Sequence, residues 1–300
     1  MSVKPLVVKS FAKLNLYLQV LNKRQDNFHN LSTLFTRIDL ADTLTFRKRS
    51  DGLIKIKCAH RQLPKDKTNL CYRAAQLLKQ ELKLNLGVEI ELKKRIPVGA
   101  GLGGGSSNAA SVLLGLNRFW NLNLPKARLV KLGAKLGSDV PFFIQQSKFA
   151  LGSQRGDKIK PLISLQKLKL WFILVYPNFK VSTPLIYQKF DACLSAGASF
   201  SRLTRPPRNV KILTSQLLKK GNSFDRGCLF NSLELVTSIF YPVVNQVKNA
   251  LFGLGLNRVM MSGSGPAVFA VCDSGRQARS LSRKLYKQHN SWQVFVVSAV

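Results

Sequence analysis

The sequence predicts a two-domain α+β protein, and three observations carry that expectation. The chain is 300 residues long and 45% apolar, which suits one large domain or two of ordinary size with ample buried core. Strands that alternate with period two are interspersed with stretches of helical period, and no internal repeat orders them. A tight polar turn at Gly152 to Asp157 is followed, from Leu168, by a fresh start in connectivity. The boundary is therefore expected near residue 160, giving units of 1–160 and 161–300.

In the first unit, Ala12, Leu14, Leu16, Leu18 and Val20 fall on one face of a strand, and Lys13, Asn15, Tyr17 and Gln19 on the other. Strict alternation of this kind predicts a half-buried strand with a polar face. Lys23 to His29 reads as a polar turn. Leu31 to Leu40 resumes a strand, and Thr43 to Arg47 with Leu53 to Cys58 reads as a hairpin across Ser50-Asp51-Gly52. Thr68 or Asn69 can cap a helix whose inner face is Leu70, Ala74, Leu77, Leu78 and Leu82. Val88 to Lys93 alternates again and leads into the run Pro97 to Ala110. Ala109 to Trp120 is the next helix, and Pro125 to Leu136 a short one with Gly137 behind it.

In the second unit, Leu170 to Tyr176 reads as a buried strand and Val181 to Phe190 as a short helix. Cys193 to Val210, with its serines, glycine and prolines, is expected to be an exposed mobile loop. Asn231 to Phe252 is a long helical stretch with Pro242 as its break point. A strand (Arg258 to Met261), a turn (Ser262 to Pro266), a strand (Ala267 to Cys272), a helix (Arg276 to His289) and a strand (Trp292 to Ser298) complete the chain.

Composition narrows the class. A mean hydropathy near zero fits a globular chain, and the longest apolar runs fall far short of the roughly 20 residues that cross a bilayer. The N-terminus enters a strand pattern without a signal-peptide core. Five scattered cysteines (Cys58, Cys71, Cys193, Cys228, Cys272) form no C-x-x-C pair and read as reduced core thiols of a cytoplasmic protein. The 47 basic residues against 14 acidic ones give a net charge of +33, which raises the question of a polyanion partner. Those cations are spread through every segment rather than gathered in one tract, and anionic small-molecule substrates account for them as well. No membrane and no specific nucleic-acid partner is expected.

Chemistry concentrates in Pro97-Val98-Gly99-Ala100-Gly101-Leu102-Gly103-Gly104-Gly105-Ser106-Ser107-Asn108. Successive glycines remove the Cβ atoms that keep a ligand off the backbone and admit the left-handed dihedrals that let N–H groups converge. Two serines and an asparagine, good N-cap residues, then precede the helix. A bare arch that opens into a helix N-terminus is an anion site, and the usual anion is phosphate. Gly99, Gly101 and Gly104 also satisfy G-x-G-x-x-G, but no carboxylate follows before Asp139, so a dinucleotide fold is excluded. No Lys follows the glycines as a P-loop requires, and the H-R-D and D-F-G motifs of protein kinases are absent.

With these residues on the page, the chain resembles the GHMP kinases, and the resemblance runs over essentially its whole length. It rests on Ala12-Lys13-Leu14-Asn15-Leu16-Tyr17-Leu18 with Phe28-His29, on the glycine arch, on Gly137-Ser138-Asp139-Val140-Pro141-Phe142-Phe143, and on Ser262-Gly263-Ser264-Gly265-Pro266. It implies an N-terminal domain like the second domain of ribosomal protein S5, a C-terminal ferredoxin-like domain, and ATP and substrate in the cleft between them. The arch Gly101, Leu102, Gly103, Gly104 and Gly105, with Pro97, Gly99, Ser106 and Ser107, would hold the nucleotide, and Asn69 would lie near the adenine. Mg²⁺ would bridge phosphate oxygens, with no protein ligand set assigned to it.

The Lys13 strand, the Phe-His turn and the Asp139 segment point within the family to a cytidyl substrate, CDP-methylerythritol, of the non-mevalonate isoprenoid route. Asp139 would accept the proton of its C2 hydroxyl, and Lys13 would pair with Asp139 and neutralise charge on the transferred phosphoryl group. Phe28 and His29 would hold the cytosine by stacking and by hydrogen bonds, while Asn15 and Thr183 would contact the methylerythritol end. The alternatives are a homoserine or mevalonate type of small-molecule kinase, or a nucleic-acid-binding module on the S5-like fold. Read singly, Lys13 could be a solvated lysine, Asp139 or Asn69 a helix cap, and His29 a turn residue; their joint order carries the resemblance. The chain departs from the usual family pattern at Asn27 (commonly Gly), Asn108 (commonly Asp), Ser232 and Asp157.

Overall fold

The computed structural model describes residues 4–61, 63–195 and 204–300. In chain order the elements are β1 (Leu6–Lys23), β2 (His29–Arg49), β3 (Ile54–Cys58), α1 (Leu70–Glu81), β4 (Gly87–Lys93), α2 (Gly104–Phe119), α3 (Lys126–Leu136), α4 (Val140–Gln145), β5 (Phe149–Gln154) and β6 (Lys158–Pro161). There follow β7 (Trp171–Tyr176), α5 (Thr183–Ser195), α6 (Val210–Lys220), β8 (Phe230–Asn231), α7 (Glu234–Phe240), α8 (Val243–Gly253), β9 (Val259–Met261), β10 (Val268–Cys272), α9 (Gly275–Gln288) and β11 (Gln293–Ser298).

Two sheets organise these elements. The seven-stranded sheet runs β3-β4-β2-β1-β8, with β5 paired to the first part of β2 and β6 to β5. The four-stranded sheet runs β11-β7-β10-β9 and is antiparallel throughout. Helices α1 to α4 cover the first sheet through Phe46, Ile90, Leu113 and Phe142, and α5, α7, α8 and α9 cover the second through Phe190, Val236, Leu251 and Leu285. A third cluster lies between the sheets: Leu14, Leu16 and Ile38 meet Phe172, Leu174 and Phe269, with Leu213 and Leu217 of α6 closing it.

Several expectations are corrected. The hairpin across Ser50-Asp51-Gly52 does not form, because β4 sits between β2 and β3, and β3 pairs with β4 in parallel. The chain turns at residues 50–52, but the crossover through α1 brings β4 back into the slot beside β2. The two strands read at residues 31–40 and 43–47 are one continuous β2. β1 is not half-buried: Lys13, Asn15 and Tyr17 are as enclosed as the leucines. A register shift between Asn15 and Tyr17 breaks the alternation, and so Tyr17 joins the core between the sheets while Leu18 and Val20 pack with the helices of the second sheet.

The long helical reading from Asn231 also fails at its start. Asn231 belongs to the two-residue strand β8, paired in parallel with β1, and Pro242 separates α7 from α8. Of the loop expected from Cys193 to Val210, residues 196–203 lie outside the described residues, while α5 extends to Ser195 and α6 begins at Val210. Among the described residues no helix is long and apolar enough to cross a membrane.

Candidate active site

The arch leaves β4 and is tied down at its root by Asp42, a fully buried carboxylate that accepts the amides of Arg95 (2.7 Å) and Ile96 (2.9 Å). Gly99, Gly101 and Gly103 all take positive φ, at 68°, 75° and 67°. Two of them are irreplaceable for different reasons. Gly103 is the left-handed N-cap of α2, so the helix begins at Gly104 and not after the serines. A Cβ on Gly101 would stand 2.1 Å from the Ser262 carbonyl oxygen, where the C-terminal turn touches the arch backbone to backbone. The first turn of α2 carries no acidic residue, leaving the positive end of the helix unopposed for an anion.

Ser107 does not face the cleft. It is buried, with its hydroxyl 2.7 Å from that of Ser10, while Ser106 lines the opening. Asn108 donates to Ser10 (2.9 Å) and to Asp42 Oδ2 (2.9 Å), and Lys94 pairs with the same Asp42. An aspartate at 108 would set two carboxylates against each other here, so the asparagine is matched to its neighbour.

Lys13 and Asp139 converge from distant segments. The Lys13 backbone amide donates to Leu102 O (3.0 Å), which locks β1 to the arch. Its ammonium donates to Asn15 Oδ1 at 2.6 Å, stands 3.6 Å from Asp139 Oδ2 and lies 5.7 Å from the centre of the Phe35 ring. Lys13 is only 4% exposed, so it is not a solvated lysine. Asp139 precedes α4 but makes no capping bond with its side chain, which leaves the carboxylate to Lys13 and the cleft. Asn15 also donates to Thr33 Oγ1 (2.8 Å) and, through its backbone amide, to Ser262 Oγ (3.3 Å). Behind Ser262, Asn231 Nδ2 holds the carbonyls of Met261 and Gly263, both at 2.8 Å. Thr183, at the start of α5, shares a 2.8 Å hydrogen bond with Ser264.

The third group lies around His29. Asn27 has φ 63°, the left-handed conformation that asparagine tolerates better than other non-glycine residues. Phe28 is 51% exposed, with the Arg155 guanidinium 5.2 Å from its ring centre. His29 Nε2 sits 2.7 Å from Asp191 Oδ1, and its ring stacks on Tyr187 at 5.1 Å. Asp191 also accepts from Lys23 at 2.6 Å. Burial pushes its carboxyl up, but the hydrogen bonds from Lys23 and His29 outweigh this and hold it below the usual carboxylate range. Tyr187 is pushed up by burial and then by the Asp139 charge.

One cleft of about 930 Å³ takes in all three groups: the arch from Pro97 to Ser106, Lys13 with Asn15 and Asp139, and Phe28, His29, Thr183, Tyr187 and Asp191. Asn69 lines it too, but its amide is already used, accepting from Cys71 N (2.8 Å) as the cap of α1 and donating to Pro64 O (2.6 Å). Among the predicted residues, only Ser107 is turned away. Tyr187, Asp191 and Arg155 lie outside the residues the sequence singles out; of the Ser262–Pro266 turn, which it does single out, Ser264 lines the cleft and Ser262 donates to the Gly101 carbonyl of the arch. Thr183, Tyr187 and Asp191 recur every four residues along α5, a signal that could have found two of them.

Comparison with known proteins now bears on this geometry. The family description "GHMP kinases N terminal domain" matches residues 69–147, and "GHMP kinases C terminal" matches residues 213–291. The chain belongs to the GHMP kinase family. Within that family the chain is similar to proteins named 4-diphosphocytidyl-2-C-methyl-D-erythritol kinase. That of Syntrophus aciditrophicus is 38% identical over 98% of this chain and 99% of its own, and that of Moorella thermoacetica 40% identical over 95% and 96%. A crystal structure of 4-(cytidine 5'-diphospho)-2C-methyl-D-erythritol kinase superposes with a TM-score of 0.78 at 31% identity, covering 98% of both chains. A mevalonate kinase structure shares the fold, with a TM-score of 0.72 at 14% identity over 97% of this chain and 98% of that one.

Proposed function

We propose that the protein is an ATP-dependent kinase that phosphorylates the C2 hydroxyl of 4-diphosphocytidyl-2-C-methyl-D-erythritol. The observation that carries this reading is the Lys13–Asp139 pair, 3.6 Å apart, in one cleft with the glycine arch and the Phe28–His29 turn. The relatives at 38% and 40% identity, named for this activity, support it.

The roles assigned to the residues rest on where they stand in the cleft. The amides of the arch and the N-terminus of α2 would cradle the ATP phosphates, in a site too tight for a Cβ at Gly101. Asp139, free of any capping duty, would take the proton of the C2 hydroxyl as that oxygen bonds to the γ-phosphorus and the bond to the ADP oxygen breaks. Lys13, fixed by Asn15 and by its backbone bond to Leu102, would offset the negative charge on the moving phosphoryl group. Such transfers depend mainly on positioning and charge stabilisation, and this lysine is held at both ends. Phe28 offers an exposed aromatic face for the cytosine, and His29 is fixed by Asp191. Thr183 and Asn15, which line the same cleft, would contact the methylerythritol end.

Ser106 supplies a hydroxyl at the mouth of the arch, a hard oxygen donor that would fit Mg²⁺ brought with the nucleotide. The metal would supply charge neutralisation between the phosphates. An ATP-consumption assay tests the assignment: turnover is expected with the cytidyl substrate and not with homoserine or mevalonate. Turnover with only one of the latter would reassign the enzyme. Asp139→Asn is expected to lower kcat by about 10² to 10⁴, and near-normal turnover would remove Asp139 from the mechanism.

A further inference from the structure

The outer face of α9 carries Arg276, Arg279, Arg283, Lys284 and Lys287 and no aspartate or glutamate. All five side chains are exposed, while Gly275, Ala278 and Leu285 are buried against the second sheet. Arg276, Arg279, Arg283 and Lys287 recur at three- and four-residue steps and so form one stripe. At 1.5 Å per residue the stripe is roughly 16 Å long. No described carboxylate pairs with any of the five. The one acid at the start of the helix, Asp273, is held by Arg258 and Gln277 instead. Some exposed cations elsewhere do find acids, as Arg47 and Lys57 do with Glu89.

The surroundings extend the pattern. The Arg279 guanidinium lies 5.8 Å from the centre of the Trp171 ring, which orients it outward from a fixed platform. The segment leading to Trp171 exposes Lys167 and Lys169. No stripe residue lines the cleft. The only large apolar side chain the helix exposes is Tyr286, so it has no apolar face to lay into a bilayer. Phosphates along one nucleic-acid strand rise about 3.4 Å apart, so a stripe of this length can meet four or five of them.

We infer that the α9 stripe is a docking surface for a nucleic-acid phosphate backbone, bound without sequence preference and apart from the kinase cleft. The stripe supplies spaced cations with no competing acid, and Tyr286 supplies a ring on which an unpaired base can stack.

The test is fluorescence anisotropy of a labelled 20-nucleotide RNA against the full-length protein, from about 50 to about 200 mM salt. A log–log salt slope of about −3 is expected for four contacts on a single strand. Arg276→Glu, Arg279→Glu and Arg283→Glu together should weaken binding at least about tenfold at low salt and flatten the slope to about −1. The control triple Lys126→Glu, Arg128→Glu and Lys131→Glu on α3 changes net charge equally and should weaken binding less than about threefold. Both triples should keep kinase turnover, which reports that they fold. Equal weakening by the two triples would assign binding to bulk charge and overturn the proposal. So would unchanged RNA binding in the α9 triple, or loss of binding to phosphatidylglycerol vesicles alone.

Discussion

Gly101 shows how much a single missing Cβ can decide. The added methyl of Gly101→Ala would meet the Ser262 carbonyl at 2.1 Å in a residue that already has φ +75°. Backbone against backbone has nowhere to yield, so the arch and the C-terminal turn must part. Overpacking of this kind costs about 1–3 kcal/mol, and left-handed strain about 1–2 kcal/mol more. Urea unfolding should show that loss, and the KM for ATP should rise at least about tenfold while the KM for the cytidyl substrate rises less. Phe28→Ala should do the reverse, raising the KM for the cytidyl substrate with kcat little changed. Asp191 makes a pH-dependent prediction. Its carboxyl lies below the ordinary range in the folded protein, so its stabilising contribution is present above the unfolded value of about 3.9 and lost as pH falls through the lower folded value. The difference in stability between the native protein and Asp191→Asn should therefore shrink below about pH 4 in acid denaturation. Local geometry was legible where it depends on near neighbours: the left-handed glycines, the Lys13–Asn15 pair and Asn27 could be read directly. Asp191 and Arg155 could not, because a lone acid or base on a helix or turn says nothing of which distant ring it will meet.

Among the elements, α1 offers the cleanest test. Asn69 spends its amide on the Cys71 N–H and the Pro64 carbonyl. Asn69→Ala should therefore cost about 1 kcal/mol of stability in urea, the usual worth of such a cap. Element types were legible in the sequence because burial periodicity is a short-range property: β7, β10, α1, α3 and α9 stand close to where the pattern put them. Pairing was not. Nothing between Thr43 and Cys58 reveals that β4, some 30 residues on, occupies the place beside β2. Nor does the run after Pro97 reveal that the helix starts on glycines, since Gly104 and Gly105 are poor helix formers accepted only because the arch needs a bare N-terminus.

Across the whole molecule, the core between the sheets draws Leu14 and Leu16 from one half and Phe172, Leu174 and Phe269 from the other. Each such side chain is worth about 1.5–3 kcal/mol when buried, so exposing the five together costs on the order of a domain's entire net stability of ~5–15 kcal/mol. The described chain should therefore lose both sheets together, with fluorescence and far-ultraviolet dichroism giving one coincident urea transition; separated transitions would show two independent units. The five cysteines are free. Burial pushes the Cys71 thiol up to about 12 and the Cys272 thiol up to about 11; Cys58 and Cys228 are buried as well, which leaves Cys193 as the accessible one. A thiol reagent at pH 8 should titrate about one group in the native protein and all five after denaturation. One feature of the seam reaches further. Lys13 is bonded through its backbone to the arch, and a Cβ on Gly263 of the opposing turn would come within 3.3 Å of its ammonium. The lysine proposed to meet the phosphoryl group is thus gripped between the two halves like a washer in a joint. A change behind that joint, at the Asn231 that holds the carbonyls of Met261 and Gly263, would therefore disarm the enzyme by loosening a lysine it never touches.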